Sequence, residues 1–163
     1  MAQHLIVPID GSDTSWRAFD IALVLGRRLD ADVELVQIET DPVDAALADE
    51  RLSDELARRG PFAAGVTATV TLTSDTVAAT LSAMVEAQPD ALVVMASHGK
   101  GRSAAIVGSV AEDILQETFG PILLVGPEVT RHDLDGPVVI TVDGSEESEA
   151  ALPLGVSWAR RCV

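Results

Sequence analysis

The chain of 163 residues carries 26 acidic against 11 lysine and arginine residues, a formal net charge of −15, and 47% apolar residues. That is enough for one domain with a proper core, and the acidic excess argues against nucleic acid as a partner. No apolar run approaches the roughly 18 residues of a membrane span, and Cys162, the only cysteine, excludes an internal disulfide framework and fits a reducing cytosol.

In chain order, a strand-like run begins at Gln3 with no leader pattern before it, so a cytoplasmic location and no membrane partner are expected. Leu5–Ile9 reads as a buried strand and ends in Asp10-Gly11-Ser12. At the end of a strand facing a crevice, the Asp10 carboxylate can accept from a ribose hydroxyl or a base amine. The same three residues are also ordinary turn formers, with Ser12 or Asp13 available to cap the next helix. That helix is expected over Thr14–Leu29, with Trp16, Phe19, Leu23 and Gly26 on one face. Val33–Ile38 reads as a second strand, Val43–Arg59 as a helix, Thr67–Leu72 as a third strand. Thr76–Gln88 follows as a helix with Val77, Leu81, Met84 and Val85 on its core side. Ala91–Ala96 is a fourth, wholly apolar strand, Val110–Thr118 a helix and Ile122–Val125 a fifth strand. Strands alternating with helices point to a parallel sheet covered on both faces, doubly wound, with ligands beyond the carboxyl ends of the strands.

The most informative stretch lies between the fourth strand and its helix. Ser97-His98-Gly99-Lys100-Gly101-Arg102 leads into Gly108-Ser109-Val110. A glycine-rich loop opening a helix presents free backbone N–H groups to an anion, above all a phosphate. Lys100 is the only lysine of the chain, and with Arg102 it can neutralise a polyphosphate. Both cations can equally be solvated turn residues. His98 can reach the same phosphate or be incidental; Ser109 can donate to it or only cap the helix. His4 and His132 belong to no metal-ligand spacing. No Gly-x-Ser-x-Gly elbow, Ser–His–Asp order or Gly-x4-Gly-Lys-Ser/Thr loop occurs, so nothing looks built for fast catalysis.

The end of the chain repeats its beginning. Ile6-Val-Pro-Ile-Asp-Gly-Ser12 matches Val139-Ile-Thr-Val-Asp-Gly-Ser145, and Ser15, Ala18 and Arg27-Arg28 recur as Ser148, Ala151 and Arg160-Arg161 at one offset of 133 residues. Three segments follow: a domain over 1–126, a linker over 127–136, and the first strand and helix of a second copy over 137–163. That piece cannot bury both faces of an α/β unit, so it is not expected to fold alone. Leu154 and Trp158 then need a surface, Pro153 interrupts the helix, and the apolar strand Val138–Val142 invites association with a neighbouring chain.

Together, Pro8-Ile-Asp-Gly-Ser12, Ser97-His-Gly-Lys100 and Gly108-Ser-Val-Ala111 resemble the universal stress protein family. The resemblance implies a flavodoxin-like five-stranded parallel sheet in the order 3-2-1-4-5, often paired as a homodimer. It implies a stress-response or signalling protein that binds adenine nucleotide, ATP with Mg²⁺ as counter-ion, through Gly-x2-Gly-x9-Gly-Ser/Thr, with weak or no hydrolysis. Asp10 would face the adenosine, and Ile38 would give backbone bonds to adenine. Met95 and Ala96 would flank the nucleotide, while Gly99, Gly108, Ser109 and Val110 hold phosphates. The chain departs from the pattern at Ala96, which replaces the first glycine, and in the eight residues between Gly99 and Gly108. The competing readings are a dimerising module of the same fold that has lost its nucleotide, and an adenylating enzyme on a similar fold.

Overall fold

The computed structural model describes residues 4–98, 107–117, 120–129 and 134–162. In chain order the elements are β1 (His4–Pro8), α1 (Asp13–Leu29), β2 (Asp32–Glu39), α2 (Pro42–Arg59), a 3₁₀ turn (Gly60–Ala63), β3 (Thr67–Leu72), α3 (Val77–Ala87), β4 (Ala91–Ala96), α4 (Ser109–Glu117), β5 (Ile122–Val125), α5 (Glu146–Glu149) and α6 (Leu152–Cys162). The five strands form one parallel sheet ordered β3-β2-β1-β4-β5, the doubly wound, flavodoxin-like arrangement. β3, β4 and β5 have the bounds their apolar runs predicted, and the first four helices start and stop within a residue of expectation.

Alternation along the strands splits the core into two layers. Leu5, Val7, Val33, Leu35, Leu92 and Val94 point to one face, under Ala18, Phe19, Ala22 and Leu25 of α1 and Leu52 of α2. Ile6, Val36, Val93 and Met95 point to the other, under Ala78, Leu81 and Val85 of α3 and Ala111 and Ile114 of α4. β4 is buried on both sides, which is why it reads as an unbroken apolar run.

The inward face of α1 differs from the expected stripe. Ser15, Ala18, Phe19, Ala22, Leu25, Gly26 and Leu29 are buried, whereas Trp16 and Leu23 are only partly so. Small residues let the helix lie close to the sheet: a Cβ on Gly26 would stand 2.8 Å from Val33 Cγ2. Trp16 sits at the α1–α2 margin instead. There the Arg59 guanidinium lies 4.8 Å from its ring centroid and 5.3 Å from that of Phe19, and pairs with Asp20 and Glu55.

The tail also departs from expectation. Residues 138–142 form no strand. The helix is divided into α5 and α6, and Pro153 is the second residue of α6, where its missing N–H breaks no hydrogen bond. Trp158 and Leu134 pack, partly buried, against the α1 side of the core, and Arg161 Nη1 donates to Leu29 O at 3.3 Å. The surface that Trp158 needs is therefore supplied within the chain.

Candidate functional site

β1 stops at the sheet's switch point. From β1 the chain crosses by α1 to β2 on one side, while β4, its other neighbour, is reached through α3 on the opposite face. The carboxyl ends of β1, β2 and β4 thus splay around a crevice, the ordinary ligand position in such sheets. A cleft of about 520 Å³ occupies it.

Its floor comes from Pro8, Ile9 and Asp10 at the end of β1, with Ser15 of α1 beside them. One wall is Val36, Ile38 and Glu39 of β2 with Val77 of α3, and the other is Met95, Ala96, Ser97 and His98. Gly108, Ser109, Val110 and Ala111 close the far end. Eight of the residues singled out in the sequence, Asp10, Ile38, Met95, Ala96, His98, Gly108, Ser109 and Val110, therefore surround one cavity. Gly99, Lys100 and Arg102 lie outside the described residues.

The turn after β1 is tightly specified. Gly11 takes φ +79°, which L side chains rarely adopt. Asp10 Oδ1 accepts from Ser12 N at 2.9 Å and from Ser12 Oγ at 2.5 Å. Ser12 Oγ in turn accepts from Ser15 N at 3.2 Å and caps α1. One oxygen of Asp10 is thus committed to the turn. Across the cleft, Thr14 Oγ1 donates to His98 O at 2.8 Å, tying the start of α1 to the end of β4.

At the end of β4, Ser97 N donates to Val125 O at 2.9 Å, and Ser97 O accepts from Gly108 N at 2.8 Å. This second bond brings the two ends of the glycine-rich segment together. Gly108 O accepts from Glu112 N at 2.9 Å, so Gly108, and not Ser109, occupies the cap position of α4. The N–H groups of the first turn, from Ser109 on, then have no intrahelical acceptor, and the positive end of the helix dipole points into the cleft. That is chemistry for an anion. His98 is 6% exposed; its Nδ1 lies 2.8 Å from Ser97 Oγ, and its Nε2 has no hydrogen-bond partner among the described residues.

Sequence reasoning missed Glu39, Val77, Ser15 and Thr14. Glu39 follows Ile38 directly at the end of β2, so its place was accessible from the strand boundary. Thr14 meets His98 across 84 residues, which no local signal announces. Among the described residues, no group of three or more His, Cys, Asp or Glu is placed to hold a metal, and no helix is long and apolar enough to cross a membrane.

A parallel doubly wound sheet with a helix N-terminus and an apolar slot at its switch point has the geometry that suits a small anionic ligand. The family model of the universal stress protein family matches residues 1–126. The chain belongs to the universal stress protein family. Among solved structures it is similar to a functionally unknown protein from Pseudomonas aeruginosa PAO1 (18% identity, 99% of this chain and 56% of that one, TM-score 0.69). It is also similar to the universal stress protein from Archaeoglobus fulgidus in complex with dAMP (16% identity, 76% and 98%, TM-score 0.60). A universal stress protein in complex with cAMP is a third neighbour (21% identity, 77% and 97%, TM-score 0.59). At these identities the likeness is one of fold. A search of curated proteins finds no match.

Proposed function

We propose that this chain is a cytoplasmic stress-response or signalling protein that binds an adenine nucleotide, ATP with Mg²⁺ as its counter-ion, and hydrolyses it weakly or not at all. The reading is carried by the cleft where the Asp10 turn, the end of β4 and the free N–H groups of α4 converge. Asp10 would take the ribose, Ile38 and Met95 would enclose the base beside Ala96, and Gly108, Ser109 and Val110 would hold phosphate. Gly99, Lys100, Arg102 and His98 would add phosphate contacts from the glycine-rich segment. The dAMP and cAMP of the two structural neighbours support a nucleotide in this family.

Calorimetric titration with ATP tests the reading: binding is expected, and Gly108→Val, which puts a branched side chain where the phosphate would approach, abolishes it. Absence of any ATP affinity at millimolar concentration in the unaltered protein overturns it. Replacing Lys100 and Arg102 by Ala weakens ATP more than adenosine, since only ATP carries the phosphate charge.

A second reading, a pairing module without nucleotide, is favoured by Ala96 and by the eight-residue spacing between Gly99 and Gly108. In either reading the chain is expected to pair as a homodimer. Residues 137–163 are proposed as the start of a second unit of the same fold after the linker at 127–136, and the P. aeruginosa alignment, 99% of this chain against 56% of that one, is in keeping with this. Removing residues 130–163 and comparing mass in solution tests whether the tail makes the dimer.

A further inference from the structure

A run of side-chain oxygens links the turn after β1 to the end of β4. Asp10 Oδ1 accepts from Ser12 Oγ at 2.5 Å, Ser12 Oγ lies 3.0 Å from Thr14 Oγ1, and Thr14 Oγ1 donates to His98 O at 2.8 Å. A hydroxyl has one proton to give. That of Thr14 goes to His98 O, and that of Ser12 to the Asp10 carboxylate, the charged and closer acceptor. The run thus joins a carboxylate on the floor of the cleft to the residue from which the glycine-rich segment departs.

The backbone of Ser97 and His98 is held from three directions. Ser97 N donates to Val125 O after β5 has paired with β4, and Ser97 O accepts from Gly108 N. Both of these holds are backbone to backbone. The third comes from a side chain, that of Thr14 in the first turn of α1. Gly108 O accepts in turn from Glu112 N, so His98, Ser97 and Gly108 lead directly into the first turn of α4. The residues that line the cleft do not include Thr14; what it does there it does through His98.

Resting on the nucleotide reading above, we propose that Thr14 is a positioning residue. Its hydroxyl fixes the His98 carbonyl, and through Ser97 and Gly108 the start of α4, in set relation to Asp10. The carboxylate that would face the sugar and the helix end that would face phosphate then stand in one hydrogen-bonded frame before a ligand arrives. Pre-organisation of this kind lowers the cost of ordering a site on binding, and the gain is confined to ligands that reach α4.

Two variants test this. Thr14→Val keeps the shape of the side chain and removes the hydroxyl; Thr14→Ser keeps the hydroxyl. The position is half-buried at the start of a helix, so both variants are expected to fold. In the nucleotide-free chain, amide hydrogen exchange at Gly108 should quicken about threefold to tenfold in Thr14→Val, the worth of one hydrogen bond, and return to the unaltered rate in Thr14→Ser. Calorimetry should show ATP weakened by a similar factor in Thr14→Val and restored in Thr14→Ser, with adenosine, read by displacement of ATP, unchanged in both. A merely structural loss would move ATP and adenosine together. An unchanged exchange rate at Gly108, equal losses for the two ligands, or failure of Thr14→Ser to restore ATP overturns the role of Thr14 while leaving nucleotide binding standing. If the unaltered chain binds no ATP, the nucleotide reading and this inference fall together.

Discussion

Two turns, Asp10–Ser15 and Asp143–Ser148, are built alike and lead to different ends. Gly11 and Gly144 sit at φ +79° and +88°. Ser12 (φ −79°, ψ 157°) and Ser145 (φ −77°, ψ 154°) both cap a helix with the hydroxyl. In each turn the aspartate Oδ1 accepts from the serine N at 2.9 Å. The next serine of each turn donates its N–H to that hydroxyl, at 3.2 and 3.1 Å. Six residues suffice to specify this geometry, because every bond in it is local.

What flanks the turns is not local. Before the first, β1 lies between β2 and β4, and Ile6 is fully buried; its counterpart Val139 is 80% exposed in a segment that forms no strand. After the first, α1 runs 17 residues unbroken; after the second, the helix stops at Glu149 and restarts at Leu152. Pro153 stands where α1 has Asp20 and cannot donate to the carbonyl one turn back. A strand exists only when neighbours take its N–H and C=O groups. The same turn becomes part of a cleft beside β2, β4 and α4, and remains a surface turn without them.

The largest expected effect follows from the helices. Phe19 is fully buried, while Leu152 occupies the equivalent place in the repeat and is 38% exposed. Phe19→Ala should cost about 3–5 kcal/mol of stability in denaturant unfolding, and Leu152→Ala no more than about 0.5 kcal/mol. Comparable losses at the two positions would mean that the tail belongs to the same cooperative core as the domain.

This contrast also explains what was legible in the sequence. β4 was bounded correctly because a strand buried on both faces leaves an unbroken apolar signature, and α1 and α3 began where Ser12 and Thr76 provide caps. The cleft residues were found where they sit at strand ends or in the Gly108–Val110 segment, since chain order alone brings those ends together in a doubly wound sheet. The core face of α1 was half legible: Phe19 and Gly26 are buried as expected, but Trp16 and Leu23 are only partly so, because bulk was taken as the guide. Ala18, Ala22 and Ser15 pack beside Phe19 and Leu25, and Trp16 lies against Arg59, 43 positions away in a helix whose approach no local pattern encodes. Val138–Val142 has the composition of a strand but no partner strand among the described residues, and composition cannot supply one.

A smaller effect separates the caps. Ser12→Ala should lower global stability by about 1 kcal/mol, as for other lost N-caps. Ser145→Ala should leave the global transition nearly unmoved and instead speed hydrogen exchange at the Ser148 amide, because α5 reports only its own local opening. Equal shifts in the global midpoint for the two variants would argue that α5 and α6 unfold with the domain.

The smallest effect is electrostatic and belongs to the second turn alone. The Asp143 carboxyl is held down to about 2 from an ordinary 3.8, first by the backbone N–H of Ser145, then by the hydroxyls of Ser145 and Ser148. These donors favour the ionised form, against a minor opposing effect of burial. A depressed carboxyl stabilises the folded turn above its unfolded value, and that contribution is lost as pH falls from about 3.8 through about 2. The group is fully exposed, so solvent screens the effect and the overall melting point should barely register it. The informative measurement is the Asp143 carboxyl chemical shift followed by NMR across that range. A midpoint near 2 means the turn persists in solution without a sheet around it. A midpoint at the ordinary carboxylate value would mean that the turn's local bonds need the support that β2 and β4 give its counterpart at Asp10.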